Sequence, residues 1–295
     1  LKFSIITPTY NRAHTLQRAI DSLLQQSYQN FEMIIVDDGS TDETTQVVKR
    51  YLSDPRIKYI GPNENAGVGV ARNIGLDSIA SDVQWVTFLD SDDEFVSDAL
   101  ENMHKTITRN KTIHYFRFAA QYTSGEYACD RRQDGDILDY QAVLSTMATT
   151  GEWVSLLSRE IIDNGFRFEE SVNGFEHIAW FQLSKREKVL YDATVVRRYH
   201  TDTISFSNPG KIDRANYCNR KRGIELSLRI LGEDLQKYAI KMYTRELYAL
   251  GDINFILGNY KLGMKNTFEA FKQDPFNPRL VRNFFTLLFS KKIKK

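Results

Sequence analysis

Two short acidic stretches hold the residues whose types and spacing could do chemistry. Asp90-Ser91-Asp92 sets two carboxylates two residues apart, directly after the apolar run WVTFL. Hard oxygen ligands of this kind suit Mg2+ or Mn2+, which bridge protein carboxylates to substrate phosphates and offset the charge of a departing diphosphate. The plainer reading is a turn in which Ser91 or Asp92 caps a helix starting near Ser97. Asp37-Asp38 closes a second apolar run, FEMIIV, and the stretch DDGSTDET reads equally well as a turn and helix cap. Asp38 has a further use. A carboxylate only accepts hydrogen bonds, and uracil N3 carries a proton where cytosine N3 does not. A carboxylate facing N3 therefore selects uridine or thymidine nucleotides.

A third stretch, NENAGVGVARNIG, holds Gly67, Gly69, Arg72 and Gly75. Glycines ahead of a helix let the backbone approach a phosphate. The stretch lacks the GxGxxG spacing, which argues against a hydride-transfer dinucleotide fold. Arg72 is expected to balance the strand-end acids or to hold a donor; a surface ion pair is the plainer alternative.

These residues need elements to position them. FSIITPTY, FEMIIVDD, RIKYIGP and VQWVTFLDSDD read as strands, while HTLQRAIDSLLQQS, TDETTQVVKRYL, GVGVARNIGLDSIA and VSDALENMHKTI read as helices. Strands alternating with helices, and apolar along their whole length, predict an α/β fold with a parallel sheet buried on both faces. Ligands of such sheets bind beyond the carboxyl ends of the strands, where both acidic stretches fall. From about 112 to 205 the pattern is less regular. TIHYFRFAAQY, WVSLLS and KVLYDATVVRRYH read as strands, EHIAWFQLSKR as a helix and EYACDRRQDGD as a polar loop. From 211 onward the chain reads as helix, and NYKLGMKNTFEAFKQDPFNPRL has the spacing of half a tetratricopeptide repeat in a single copy. Two regions are predicted, 1–208 and a helical 209–295.

SIITPTYNR, IIVDDGSTDET, NAGVGVARNIGL and VTFLDSDD, in this order and spacing, resemble a family 2 glycosyltransferase. The resemblance is strong over the first 100 residues and looser to about 205. It implies a GT-A fold, a Rossmann-like mixed sheet, and an inverting transfer of sugar from a nucleotide-diphosphate donor. On this resemblance Pro8, Tyr10 and Asp38 line the base, Arg12 and Arg72 sit near the nucleotide and Asp90 near the ribose, with Ser91 counted in the donor-binding set. Asp92 binds the metal, Mn2+ or Mg2+. The family's base comes from a Glu-Asp pair followed by Trp three residues after the Asp. Here NGFEHIAW keeps Glu176 and Trp180 but carries His177 in place of the Asp. Inversion needs a base for the acceptor hydroxyl, and both Glu176 and His177 are candidates, with Glu176 favoured. His200 in RRYHTDTISFS is a candidate second metal ligand, or with Arg197 and Arg198 a contact for the diphosphate. Trp153 and the loop EYACDRRQDGD are candidates for acceptor contact.

Bulk composition bounds the partners. Lys+Arg is 39 against Asp+Glu 38, so no basic field points to nucleic acid. Two cysteines without CxxC spacing argue against a disulfide or zinc framework and fit a reducing cytoplasm. No apolar run is long enough for a transmembrane helix, and no signal peptide is expected ahead of the first strand. The basic end RLVRNFFTLLFSKKIKK reads as a docked helix with a solvated tail, or as a peripheral contact with the inner face of the cytoplasmic membrane. The expected activity moves a hexose, glucose first, from a UDP-sugar to a hydroxyl of a glycan or lipid-linked oligosaccharide. A degenerate scaffold in a glycan-assembly complex, for which His177 is the best argument, is the alternative. Nucleotidyl transfer is a third class.

Overall fold

β1 (Phe3–Thr9) and β2 (Phe31–Asp37) are buried along their whole length. A strand covered on both faces has no solvent side to alternate with, so both read as unbroken apolar runs. The computed structural model describes residues 1–61, 64–146, 151–201 and 214–275. Its remaining strands are β3 (Ile57–Ile60), β4 (Trp85–Phe88), β5 (Glu94–Phe95), β6 (Tyr115–Tyr122), β7 (Ile137–Leu138), β8 (Trp153–Ser158) and β9 (Val189–Tyr199). The helices are α1 (Leu16–Leu24), α2 (Thr44–Lys49), α3 (Val68–Asp77), α4 (Ala99–Arg109), α5 (Tyr140–Thr146), α6 (Arg159–Asp163), α7 (His177–Ser184), α8 (Arg214–Tyr238), α9 (Ile240–Ile256) and α10 (Tyr260–Gln273).

One sheet holds the strands in the order β3-β2-β1-β4-β8-β6-β9-β5, with β7 beside β9. β3, β2, β1 and β4 are parallel. β8 then enters antiparallel between β4 and β6. The parallel reading therefore holds for the first half, and the whole sheet is mixed, as the GT-A resemblance implies. Phe3 lies level with both Phe31 and Trp85, so β1, β2 and β4 reach the same edge together. The β4 ladder stops at Ile6, two residues before Pro8, which has no N–H to offer it.

α1 packs Leu16, Ala19, Ile20 and Leu23 into the core beneath the sheet, and α4 adds Ala99, Leu100, Met103 and Ile107. Burying each large side chain contributes about 1.5–3 kcal/mol. Gly75 of α3 meets β1 directly: a Cβ there would stand 2.4 Å from Ile6 Cγ2. Gly75→Val is expected to cost about 1–3 kcal/mol by overpacking. A urea midpoint equal to wild type would show that Ile6 gives way.

Two expectations shift. α2 begins at Thr44 rather than at Thr41, because Asp42 turns back to accept from Thr44 N (3.0 Å) and Ala13 N (3.1 Å). α4 begins at Ala99, and β5 intervenes after the acids, so neither Ser91 nor Asp92 caps it.

The chain divides into two compact units, Leu1–Val143 with Thr149–Asn208, and Leu144–Ala148 with Pro209–Lys295. In the second, α9 and α10 pack closely through small residues. A Cβ on Gly251 would lie 2.5 Å from Thr267 Oγ1 and 3.3 Å from the Gly263 carbonyl. Gly263 and Ala270 are buried there, while Tyr260 is exposed. No described helix is long and apolar enough to cross a membrane. The basic stretch 279–295 lies outside the described residues.

Candidate active site

A cavity of about 830 Å3 opens at the carboxyl edge of β2, β1 and β4. It is lined by Pro8, Tyr10, Arg12, Asp38, Arg72, Asp90, Ser91, Asp92, Glu176, Arg197 and His200; of the candidates named above, His177, Arg198 and the loop EYACDRRQDGD are not on its wall. Trp153 and Trp180 also line it. β8 runs antiparallel, so its start, Glu152-Trp153, reaches the same edge as the end of β4. Three strand spacings separate β2 from β8, about 14 Å, the scale of a nucleoside diphosphate with its sugar.

The first acidic pair splits. Asp37 is buried and structural: Oδ1 accepts from Ser40 N (2.8 Å) and Oδ2 from Tyr59 Oη (2.7 Å). Asp38 faces the cavity, and its two oxygens accept from Ala66 N and Gly67 N, both at 2.8 Å. Each oxygen keeps a second lone pair for a ligand donor. Facing this turn, Asn11 adopts the left-handed conformation (φ 52°), which Asn tolerates better than most residues. Its Oδ1 accepts from Thr41 N (2.8 Å) and its own N–H donates to Ser40 Oγ (2.8 Å), tying the YNR turn to the GSTD turn. That positions Arg12, whose Nη2 stands 3.7 Å from Asp92 Oδ2.

Gly67 at the start of α3 and Gly69 in its first turn leave room for another part of the chain. Gly67 has φ +102°, and a Cβ on it would stand 2.0 Å from Asn173 Oδ1; one on Gly69 would lie 2.6 Å from the Glu169 carbonyl. They admit the segment that leads into α7.

Arg72 is not a surface ion pair. Its guanidinium donates to Asp90 Oδ1 (2.9 Å) and Glu176 Oε1 (3.1 Å), joining the second acidic stretch to the candidate base. It lies over the rings of Phe168 (5.3 Å) and Phe88 (5.9 Å). Burial disfavours its charge, but Asp90 and Glu176 outweigh that and raise its pKa. Burial likewise opposes the charge of Asp90, yet Arg72, Arg197 and Arg12 together hold its pKa low.

Arg197 lies in β9 and is almost wholly buried, within 3.5 Å of Asp90, 3.5 Å of Asp93 and 3.3 Å of Glu152. It also lines the cavity, so the diphosphate contact read for it from the sequence would be made by a guanidinium already shared among three acids. Arg198 pairs with Glu94 (3.4 Å) and is not on the cavity wall. Glu176 immediately precedes α7, its carboxylate turned to Arg72 rather than capping the helix, and Trp180 anchors α7. Trp180 stacks on Phe166 (centroids 5.2 Å apart) and meets Phe168 (5.2 Å) edge-on. His177 turns instead toward Phe175 (5.5 Å) and Phe181 (6.0 Å). Adjacent helical residues point about 100° apart, so the two candidate bases do not share one direction. Trp153 meets Tyr191 edge-on at 4.9 Å.

Asp92 and His200 line the same cavity; His200 Nε2 is buried and makes no hydrogen bond, though it stands 3.6 Å from Glu94 Oε1. Among the described residues no group of three or more His, Cys, Asp and Glu side chains could hold a metal. A carboxylate with an imidazole fits a divalent ion whose other ligands are diphosphate oxygens and water, the usual manner of Mg2+ and Mn2+. The charge balance points the same way, with five cavity carboxylates (Asp38, Asp90, Asp92, Glu152, Glu176) facing three arginines.

Beneath this site, burial pushes the Asp93 pKa up to about 7; Arg197 opposes the shift, and Asp90 and Asp92 add to it. In the unfolded chain the same group titrates near ~3.9. The native state therefore keeps a proton that the unfolded chain has released. The contribution of Asp93 to stability is fully present below about pH 4, is lost as pH rises to about 7, and is level above, a total of roughly 4 kcal/mol at most. Asp93→Asn should raise the Tm of the metal-free protein at pH 8, with the difference closing toward pH 4. A Tm difference independent of pH would contradict the buried proton.

A family model described as glycosyl transferase family 2 matches residues 4–166. The chain belongs to that family. The matched span contains the donor-side candidates through Asp92 but stops before Glu176, His177 and His200. Over 107 residues the family-2 chain is 41% identical to the glycosyltransferase GlyA of Streptococcus pneumoniae, covering 36% of this chain and 15% of GlyA. It is 27% identical over 307 residues to a Campylobacter jejuni GalNAc(5)-diNAcBac-PP-undecaprenol beta-1,3-glucosyltransferase, covering 100% of this chain and 96% of that protein. The chain thus spans a small part of GlyA and nearly all of the Campylobacter protein. S. aureus TarS 1-349, solved in complex with UDP-GlcNAc, superposes with a TM-score of 0.65 at 18% identity, over 95% of this chain and 83% of that one. That likeness establishes the GT-A type of fold.

Proposed function

We propose that this family-2 chain is an inverting, metal-dependent glycosyltransferase that moves a hexose from a UDP-sugar to a hydroxyl of a lipid-linked glycan. Residues 1–208 would form the transferase domain and 209–295 a helical appendage. The observation that carries this reading is the single guanidinium of Arg72, bonded at once to Asp90 on the donor side and to Glu176. Asp38, with lone pairs to spare, accepts the N3–H of uracil beside Pro8 and Tyr10. Asp90 and Ser91 lie where the ribose would follow.

Asp92 and His200 would hold Mn2+ or Mg2+, which would offset the diphosphate charge. Glu176 takes the proton from the acceptor hydroxyl as its oxygen attacks the anomeric carbon opposite the leaving diphosphate, and the single displacement inverts that carbon. Arg72 holds the Glu176 carboxylate in place for that transfer. Trp153 offers the acceptor sugar an aromatic face. Glucose as donor sugar and an undecaprenol-type acceptor are supported by the Campylobacter relative. A site at the inner face of the cytoplasmic membrane would suit such an acceptor.

The test is UDP release from a panel of UDP-hexoses with and without Mn2+ or Mg2+, using CDP- and GDP-sugars as controls. Metal-dependent release from UDP-glucose with inverted product is expected. Release only of a nucleoside monophosphate, or no binding of any UDP-sugar, would sink the reading.

A further inference from the structure

α3 and the segment 168–176 are far apart in sequence yet in contact along their length. A Cβ on Gly69 would touch Glu169, and one on Gly67 would touch Asn173. Arg72 reaches Glu176. Next to Arg72 stands Asn73, which no motif singled out. Its side chain is buried, and it makes three hydrogen bonds across 95 to 97 residues of sequence. Nδ2 donates to the Phe168 carbonyl (3.0 Å) and to Glu170 Oε1 (2.8 Å), and Oδ1 accepts from Phe168 N (2.9 Å).

The carboxamide therefore pairs with both peptide groups of Phe168, as a neighbouring strand would. Only an amide side chain offers a donor and an acceptor side by side in this way. Phe168 is in turn the ring against which Arg72 and Trp180 pack.

We propose that Asn73 is a positioning residue for Glu176: its carboxamide fixes residues 168–170, and so sets where the chain delivers Glu176 to Arg72 and to the acceptor hydroxyl. This deepens the proposed reaction and rests on Glu176 as the base. A carboxylate displaced by an ångström loses its proton-transfer geometry while the donor side, held by Asp38 and Asp92, is unaffected. Asn73 touches neither.

The variants are Asn73→Ala and the near-isosteric Asn73→Asp, which keeps the acceptor, loses the donor and sets a like charge against Glu170. Turnover should fall about 10- to 100-fold with the UDP Kd within about twofold of wild type. In a Glu176→Gln background the same changes should cost little more, because a residue acting only through Glu176 has nothing left to position. Glu170→Gln should restore part of the activity of Asn73→Asp by giving its carboxylate a donor. Amide hydrogen exchange supplies a readout that needs no turnover. Peptides covering 168–176 should exchange faster in both variants, with those of α4 unchanged. Unchanged exchange at 168–176 would overturn the proposal even if wild type transferred no sugar, an outcome that by itself counts against the transferase reading instead. Losses that multiply with Glu176→Gln, or a UDP Kd that weakens in parallel with turnover, would also overturn it.

Discussion

Glu176→Gln is expected to lower turnover by about 10²–10⁴-fold, the usual contribution of a general base, while the UDP-sugar Kd stays near wild type. The substitution is close to isosteric, and the Gln carbonyl can still accept from Arg72 Nη1, which stands 3.1 Å from Oε1. The loop should therefore hold its shape, and the loss would report the missing base. His177→Ala should change turnover by less than about threefold, because its ring faces Phe175 and Phe181 and it is not on the cavity wall. Single-turnover kinetics on both variants would decide the assignment. A nearly active Glu176→Gln beside an inactive His177→Ala would transfer the role to the histidine and require α7 to rotate in the acceptor complex.

The second large effect separates the two acidic stretches. Asp92→Ala should abolish the gain in UDP affinity from Mn2+ or Mg2+ and reduce turnover by about 10²–10³-fold, as loss of an electrostatic partner of a leaving group does. Asp38→Asn should act without regard to metal. Its amide would turn a donor toward Gly67 N–H or toward uracil N3–H, weakening UDP binding by about 10- to 100-fold and narrowing the preference over CDP. Calorimetry of UDP and CDP with and without metal reads both. If Asp92→Ala remains metal-dependent, the ion is held elsewhere. If Asp38→Asn weakens UDP and CDP equally, Asp38 is no more than the clasp for Ala66 and Gly67.

Much of the donor side was legible because its signals are local. A strand that stops in acid puts that acid at the sheet edge, whichever strands lie beside it. That is why Pro8, Asp38, Asp90 and Asp92 could be assembled on one crevice from sequence and family likeness, and why they line one cavity. Locality also set the limits. Nothing in DDGS tells which aspartate turns inward, and Asp37 does so because Tyr59 of β3 supplies a hydroxyl from the neighbouring strand. The glycines of NAGVGVARNIG gave no sign of the segment 169–173 packed against them, since a need for room reads the same whether ligand or backbone fills it. Asn73 gave no signal at all, because its partners lie 95 to 97 residues away. Arg197 was visible as a basic residue near a strand end, but its three acids come from two distant places in the chain, 90–93 and 152.

By itself the sequence determined the alternation of strands and helices, the edge at which ligands gather and the family motifs of the donor side. These follow from apolar periodicity and from residue types adjacent in the chain. Only the tertiary structure decided which charges meet. Arg72 bonds Asp90 and Glu176 across 18 and 104 residues, and Glu176 rather than His177 faces the cavity. The physical reason is that ion pairing and burial act over a few ångströms of space, and where distant segments come that close is set by packing, not by spacing along the chain.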